Sequence, residues 1–136
     1  MFAVEELCGG STDEKTLSML GAVSPDEVLS GGVWRLAAAT ILHYGPLHLV
    51  MNMLGLWVLG RYVEFALGRA RYVALYAVTG VATMLLVVLL SRAGLVEPQL
   101  LVGASGAIMG LIGATGAILL RGFRAERSAL ARRRLL

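Results

Sequence analysis

The chain of 136 residues is 57% hydrophobic and only 15% charged, with a mean hydropathy of +0.76. That balance excludes an ordinary soluble domain and places most of the chain in a membrane. The net charge of +3 conceals an asymmetry: residues 1–33 carry Glu5, Glu6, Asp13, Glu14, Asp26 and Glu27 against Lys15, whereas Arg121, Arg124, Arg127, Arg132, Arg133 and Arg134 face only Glu126. A single cysteine, Cys8, allows no internal disulfide, and no Cys or His cluster has metal-ligand spacing, so neither metal nor cofactor is expected.

The first residues, MFAVEEL, lack a basic leader and put two glutamates where the apolar core of a signal peptide belongs, so no secretory signal is expected there. Residues 9–33 are polar and rich in turn formers, with too few apolar side chains for a core of their own. Trp34 and Tyr44 flank a short apolar stretch, and 33–43 reads as a short helix at the membrane interface. Residues 1–46 therefore form an outer region.

Three segments reach the roughly 20 apolar residues a crossing needs: 47–67, 72–90 and 100–120. All must be helical, because an open sheet leaves backbone groups unsatisfied in lipid. The first span is interrupted by Arg61 and Glu64 near its far end, where their side chains can snorkel. Arg61, Arg69 and Arg71 cluster around the first turn, while the second turn balances Arg92 against Glu97. Arginine-rich loops stay in the cytoplasm, so the first turn and the basic tail, 121–136, face inward and the acidic outer region faces outward. Directly after an apolar span, that tail reads as an anchor on anionic headgroups, not as a nucleic-acid site.

Within this frame His48 and Asn52 are four residues apart and share a helix face. Counted inward from the outer boundary at about 1.5 Å per residue, Asn52 and Ser105 reach the same depth, roughly 7 to 8 Å. Polar side chains in hydrocarbon need partners, so this face is expected to look into the bundle, toward the serine and away from lipid. A hydroxyl with fixed donors beside it is what acyl transfer requires. Gly106, Gly110, Ala114 and Ala117 form a small-residue stripe that explains close packing without any chemistry, and Gly103 permits a tight approach beside the serine. The stretch is not the hydrolase elbow G-x-S-x-G, because Ala107 follows Gly106. Spacing alone leaves a structural serine and a catalytic one both open.

Taken together and in this order, Trp34–Arg35, HYGPLHLVMNM with His48 and Asn52, and GASG from Gly103 to Gly106 resemble the rhomboid family of intramembrane serine proteases. The resemblance implies an all-α membrane protein, here a partial rhomboid-type bundle of three transmembrane helices with an outer loop. It implies a multi-pass protein of a prokaryotic plasma membrane whose partners are the bilayer and the transmembrane segments of its substrates. It makes Ser105 the nucleophile and groups His48, Asn52 and the Ser105 amide around the oxyanion. Trp34 and Arg35 belong to the outer loop, with Gly103 and Gly106 as structural motif positions. His43 matches a further family histidine, for which a structural role is expected, and Met109 stands where an aromatic is common.

The family's general base is a histidine two spans beyond the serine, and no histidine follows Ser105. The chain is accordingly expected to be a fragment covering the second to fourth core helices, inactive as 136 residues. The alternative is a rhomboid-like pseudoprotease that binds transmembrane helices without cleaving them; the intact serine and oxyanion set weighs against it.

Overall fold

The computed structural model describes the backbone of residues 1–133 and the side chains of residues 1–127. The basic tail continues the last helix as far as Arg133, and its final residues, Arg134 to Leu136, lie outside the described residues. The described chain is helical, broken by turns and by one antiparallel backbone bridge between Val23 and Leu101.

Four short helices build the outer region: α1 (Phe2–Cys8), α2 (Glu14–Leu20), α3 (Pro25–Leu29) and α4 (Arg35–Ala38). Their boundaries follow local chemistry. Asp13 caps α2 by accepting from the Thr16 amide at 2.9 Å. Gly21 ends α2 in the left-handed conformation, and a side chain there would also strike the Trp34 ring, 2.5 Å from Cζ3. Pro25 opens α3, where its missing N–H costs nothing. The single interfacial helix expected over 33–43 is instead α4 followed by a 3₁₀ turn, Ala39–Ile41.

Arg35 ties these pieces together. Its guanidinium donates to the Ser18 carbonyl at 2.5 Å and the Ala22 carbonyl at 3.1 Å, and pairs with Glu27 at 3.1 Å. Carbonyls at and just beyond the end of α2 thus meet a fork-shaped cation. Leu17, Ala22 and Leu42 form one buried cluster beneath this knot, with Leu100 and Val102 packed on it. A second, Val23, Val28, Leu36 and Ala39, joins the outer region to Met84 and Val88 of the second span.

Among the described residues, three helices are long and apolar enough to cross a membrane. The first, Gly45–Leu67, comprises α5 (Gly45–Gly55), a π turn (Leu56–Gly60) and α6 (Arg61–Leu67). Glycines bracket the π turn: Gly55 faces Ile108 and Gly60 faces the Tyr72 ring. Next come α7 (Arg69–Arg92) and α8 (Ser105–Arg133).

Helices α7 and α8 interlock through threonines and glycines. A side chain at Gly106 would lie 2.7 Å from Thr83 Cβ, and one at Gly110 would overlap Thr79. The two threonine hydroxyls donate to the carbonyls of Leu75 and Thr79 one turn back, at 2.7 and 2.8 Å, so neither hydroxyl is orphaned in the seam. The contact uses only the upper part of the small-residue stripe, since Ala117 is exposed.

One boundary differs from the sequence expectation with consequences for the site. Helix α8 starts at Ser105, not at Leu100. Leu101 exchanges both backbone hydrogen bonds with Val23, at 3.0 and 2.8 Å, and the Gly103 amide donates to Ala39 at 2.8 Å with φ +114°. These bonds commit 101–103 to a non-helical path. Ser105 is therefore the first residue of its helix, and counting turns from a common boundary does not describe its position.

The seam generates a paired test. Gly110→Leu is expected to lower stability by about 1 to 3 kcal/mol, the cost of overpacking a filled site. Gly113→Leu, on the same helix with open space around its Cα, is expected to stay within about 0.5 kcal/mol of wild type. Thermal unfolding in detergent reads both, and equal losses would contradict the interlock.

Candidate active site

The site begins with how α5 starts. Gly45, at φ +79°, and Pro46 turn the chain into the helix. The amide of Tyr44, just before it, donates to Nδ1 of His48 at 3.3 Å. A neutral imidazole that accepts at Nδ1 carries its hydrogen on Nε2, so this bond makes Nε2 the donor. One turn further on, Asn52 is 4% exposed and its Nδ2 donates to the His48 carbonyl at 2.8 Å. That bond fixes the amide and leaves its second N–H available.

The non-helical segment before α8 is pressed against this pair. A Cβ placed on Gly103 would sit 2.7 Å from His48 Cε1, 2.8 Å from Nε2 and 3.7 Å from Asn52 Nδ2. The donor edge of the imidazole thus rests on the Cα of Gly103. Both this approach and the positive φ require glycine.

Ser105 follows two residues later. As the first residue of α8, it belongs to the turn whose amides have no partner inside the helix, at the positive end of a helix of 29 residues. Its side chain is exposed and makes no hydrogen bond among the described residues, so the serine is not enclosed in a cavity here. His48 is half-buried, and beside it lies a cavity of 510 Å³ bounded by Leu17, Tyr44, Leu100 and Val102.

The structure brings His48, Asn52 and Gly103 into contact, with Ser105 next along the chain. It does not bring Trp34 and Arg35 there: they lie in the outer knot already described. Gly106 belongs to the α7 seam, and Met109, one turn beyond Ser105 on the same helix face, is 64% exposed. His43 is buried against the site from above, its ring 5.5 Å from that of His48 in an edge-on arrangement. Its backbone amide donates to Glu5 Oε1 at 3.3 Å. Glu5 has no site role in the sequence, where it counts only toward the acidic N-terminal charge and against a leader peptide. Its single signal was a charge in an apolar heptapeptide.

Residues 30–131 match the Rhomboid domain family. Among individual proteins, the chain is 37% identical over 114 residues to the Rhomboid protease GluP of Bacillus subtilis (strain 168), an alignment covering 84% of this chain and 21% of GluP. It is 40% identical over 99 residues to RHOMBOID-like protein 5 of Arabidopsis thaliana, covering 73% and 31%. With the Rhomboid protease AarA of Providencia stuartii it shares 33% over 112 residues, covering 75% and 40%. The chain thus spans less than half the length of each. No solved structure matches it at comparable significance.

Burial sets the protonation of the histidine above the site. Desolvation holds His43 below the ordinary histidine value and the nearby His48 ring adds to this, while a backbone hydrogen bond to Ile41 opposes them. A value lower in the folded than in the unfolded chain supplies stability that is complete above about pH 6.5 and is lost as pH falls through the folded value. Glu5, raised chiefly by desolvation, contributes with the opposite sign, losing stability as pH rises through its folded value. The comparison must therefore isolate His43. The thermal midpoint of wild type is expected to fall relative to that of His43→Gln as pH drops below about 6.5, and a constant difference between the two would contradict a buried neutral imidazole.

Proposed function

The chain belongs to the rhomboid family, and on that premise we propose that it is the nucleophile-bearing part of an intramembrane serine endopeptidase that cleaves transmembrane protein substrates. It is an integral membrane protein with three membrane-length helices among the described residues. The observation that carries the reading is the contact of His48 and Asn52 with Gly103, two residues before a serine at a helix start.

In this reading the Ser105 hydroxyl attacks the carbonyl carbon of the scissile peptide bond. Its proton passes to a general base, and the carbonyl oxygen takes up negative charge. The reading gives that charge three kinds of donor: His48 Nε2–H, the free N–H of Asn52, and the Ser105 amide with the helix end behind it. Collapse of the tetrahedral species expels the amine, which takes the proton from the base, and leaves an ester on Ser105 that water hydrolyses. Neither histidine of the chain suits the role of base. His48 faces the oxyanion as a donor, and His43 is buried behind it. The reading therefore assigns the base to residues outside these 136, as the resemblance implies.

The reading also has a direction. With the arginine-rich turn inward, the site opens on the outer side, so a cysteine introduced at Ala70 in a Cys8→Ser background should resist a membrane-impermeant thiol reagent in intact cells. Labelling from outside would reverse the topology.

Activity is tested on the full-length protein with a transmembrane reporter substrate. Ser105→Ala is expected to abolish cleavage, and Asn52→Ala to lower it by about 10 to 1000-fold, the range for one lost oxyanion donor. A full-length protein that folds and binds the reporter but never cleaves it would replace this reading with that of a helix-binding pseudoprotease.

A further inference from the structure

We propose that Glu5 is a positioning residue for His48, holding the turn whose backbone sets which imidazole nitrogen carries the hydrogen. The proposal rests on the oxyanion role of His48 given above, and deepens it.

Glu5 is an expensive residue to place where it is. It is fully buried in α1, and its Oε2 makes no hydrogen bond among the described residues. A buried carboxyl oxygen without a partner costs free energy that an apolar side chain of similar size would not. Its other oxygen, Oε1, has one partner, and that partner is the His43 backbone amide at 3.3 Å, 38 residues along the chain.

The bond falls on a turn with no slack. Three consecutive amides are all committed: His43 to Glu5 Oε1 at 3.3 Å, Tyr44 to His48 Nδ1 at 3.3 Å, and Gly45 shared between the Ser11 carbonyl at 3.2 Å and, within the turn, the His43 carbonyl at 3.1 Å. The two outer bonds reach back to the N-terminal segment and clamp the turn from both sides. The middle one selects the His48 tautomer. Without the first clamp the turn is held only through Gly45, the Tyr44 amide can swing away from Nδ1, and the hydrogen can then move to Nδ1. Nε2 would become an acceptor, facing a developing negative charge with a lone pair. The His43 ring, edge-on to His48, couples any shift of the turn to the imidazole plane as well.

The test uses full-length protein with ¹⁵N-labelled histidine, where nitrogen chemical shifts report the tautomer of His48, assigned by loss of its signals in His48→Ala. Wild type is expected to show Nε2–H alone. Glu5→Met keeps the volume and removes the acceptor; it should populate Nδ1–H and lower kcat for the reporter by about 10-fold at unchanged KM. Glu5→Gln keeps an oxygen for the His43 amide and should restore both readouts. In a His48→Ala background Glu5→Met should cost no further activity, because the two residues act through one donor. Should Glu5→Met fail to fold, Glu5→Asp decides, since it withdraws the oxygen by one methylene and should shift the tautomer in part. An unchanged Nε2–H tautomer in a folded Glu5→Met or Glu5→Asp variant would overturn the proposal, as would a Glu5→Gln protein as impaired as Glu5→Met. The tautomer is read without turnover, so a protein that cleaves nothing would overturn the protease reading while leaving the positioning role to be decided by the spectra.

Discussion

Everything in this structure turns on the contact between the His48 imidazole and the bare Cα of Gly103. Two polar side chains on an apolar span have to find partners; the Tyr44 amide and the His48 carbonyl supply them from the same segment, and the bundle presses backbone, not side chain, against their free edge. That choice requires a glycine with positive φ at 103 and a segment before it that is not helical. It also requires something to hold the segment in place. The Val23–Leu101 bridge and the Ala39 carbonyl do so, which is how the N-terminal region bears on the candidate site.

The outer region in turn depends on a few bonds that are insensitive to its polar, turn-rich composition. Arg35 gathers the loose end of α2 and Glu27, while Leu17, Ala22 and Leu42 fill the space beneath. On the membrane side, the threonine–glycine seam fixes the height and rotation of α8, and with them the direction in which its first turn points. A buried polar pair, a tied loop and a tight helix seam therefore converge on the short segment from Gly103 to Ser105. The exposed pair of Arg69 and Glu64, 3.2 Å apart, adds little by comparison, because solvent-facing ion pairs are worth at most about 1 kcal/mol.

Much of this was legible in the sequence because it is written in local patterns. Three apolar runs of membrane length announce three helices, and the four-residue spacing of His48 and Asn52 places them on one face. Residues at the Gly106 and Gly110 spacing announce a close helix contact. What could not be read depends on pairing between distant segments. The start of α8 is set by backbone bonds to Val23 and Ala39, more than 60 positions away, and an apolar run carries no mark of where such bonds interrupt it. Counting helical turns gives Asn52 and Ser105 a shared depth, yet what meets Asn52 is Gly103, on the non-helical approach to the serine. The π turn at Leu56–Gly60 had no signal beyond its flanking glycines. Glu5 was visible only as an oddity, since nothing local connects it to His43.

The central claim is that His48 and Asn52 are aimed at the place where an oxygen bound to Ser105 would carry charge. A crystal structure of the full-length protein after reaction with a fluorophosphonate tests this most directly, because the reagent leaves a tetrahedral phosphorus on a nucleophilic serine with one oxygen in the oxyanion position. The account predicts phosphorus on Ser105 Oγ and its free oxygen about 3 Å from both His48 Nε2 and Asn52 Nδ2. An adduct whose oxygen points away from these two donors, or a reagent that leaves Ser105 unmodified, would contradict it.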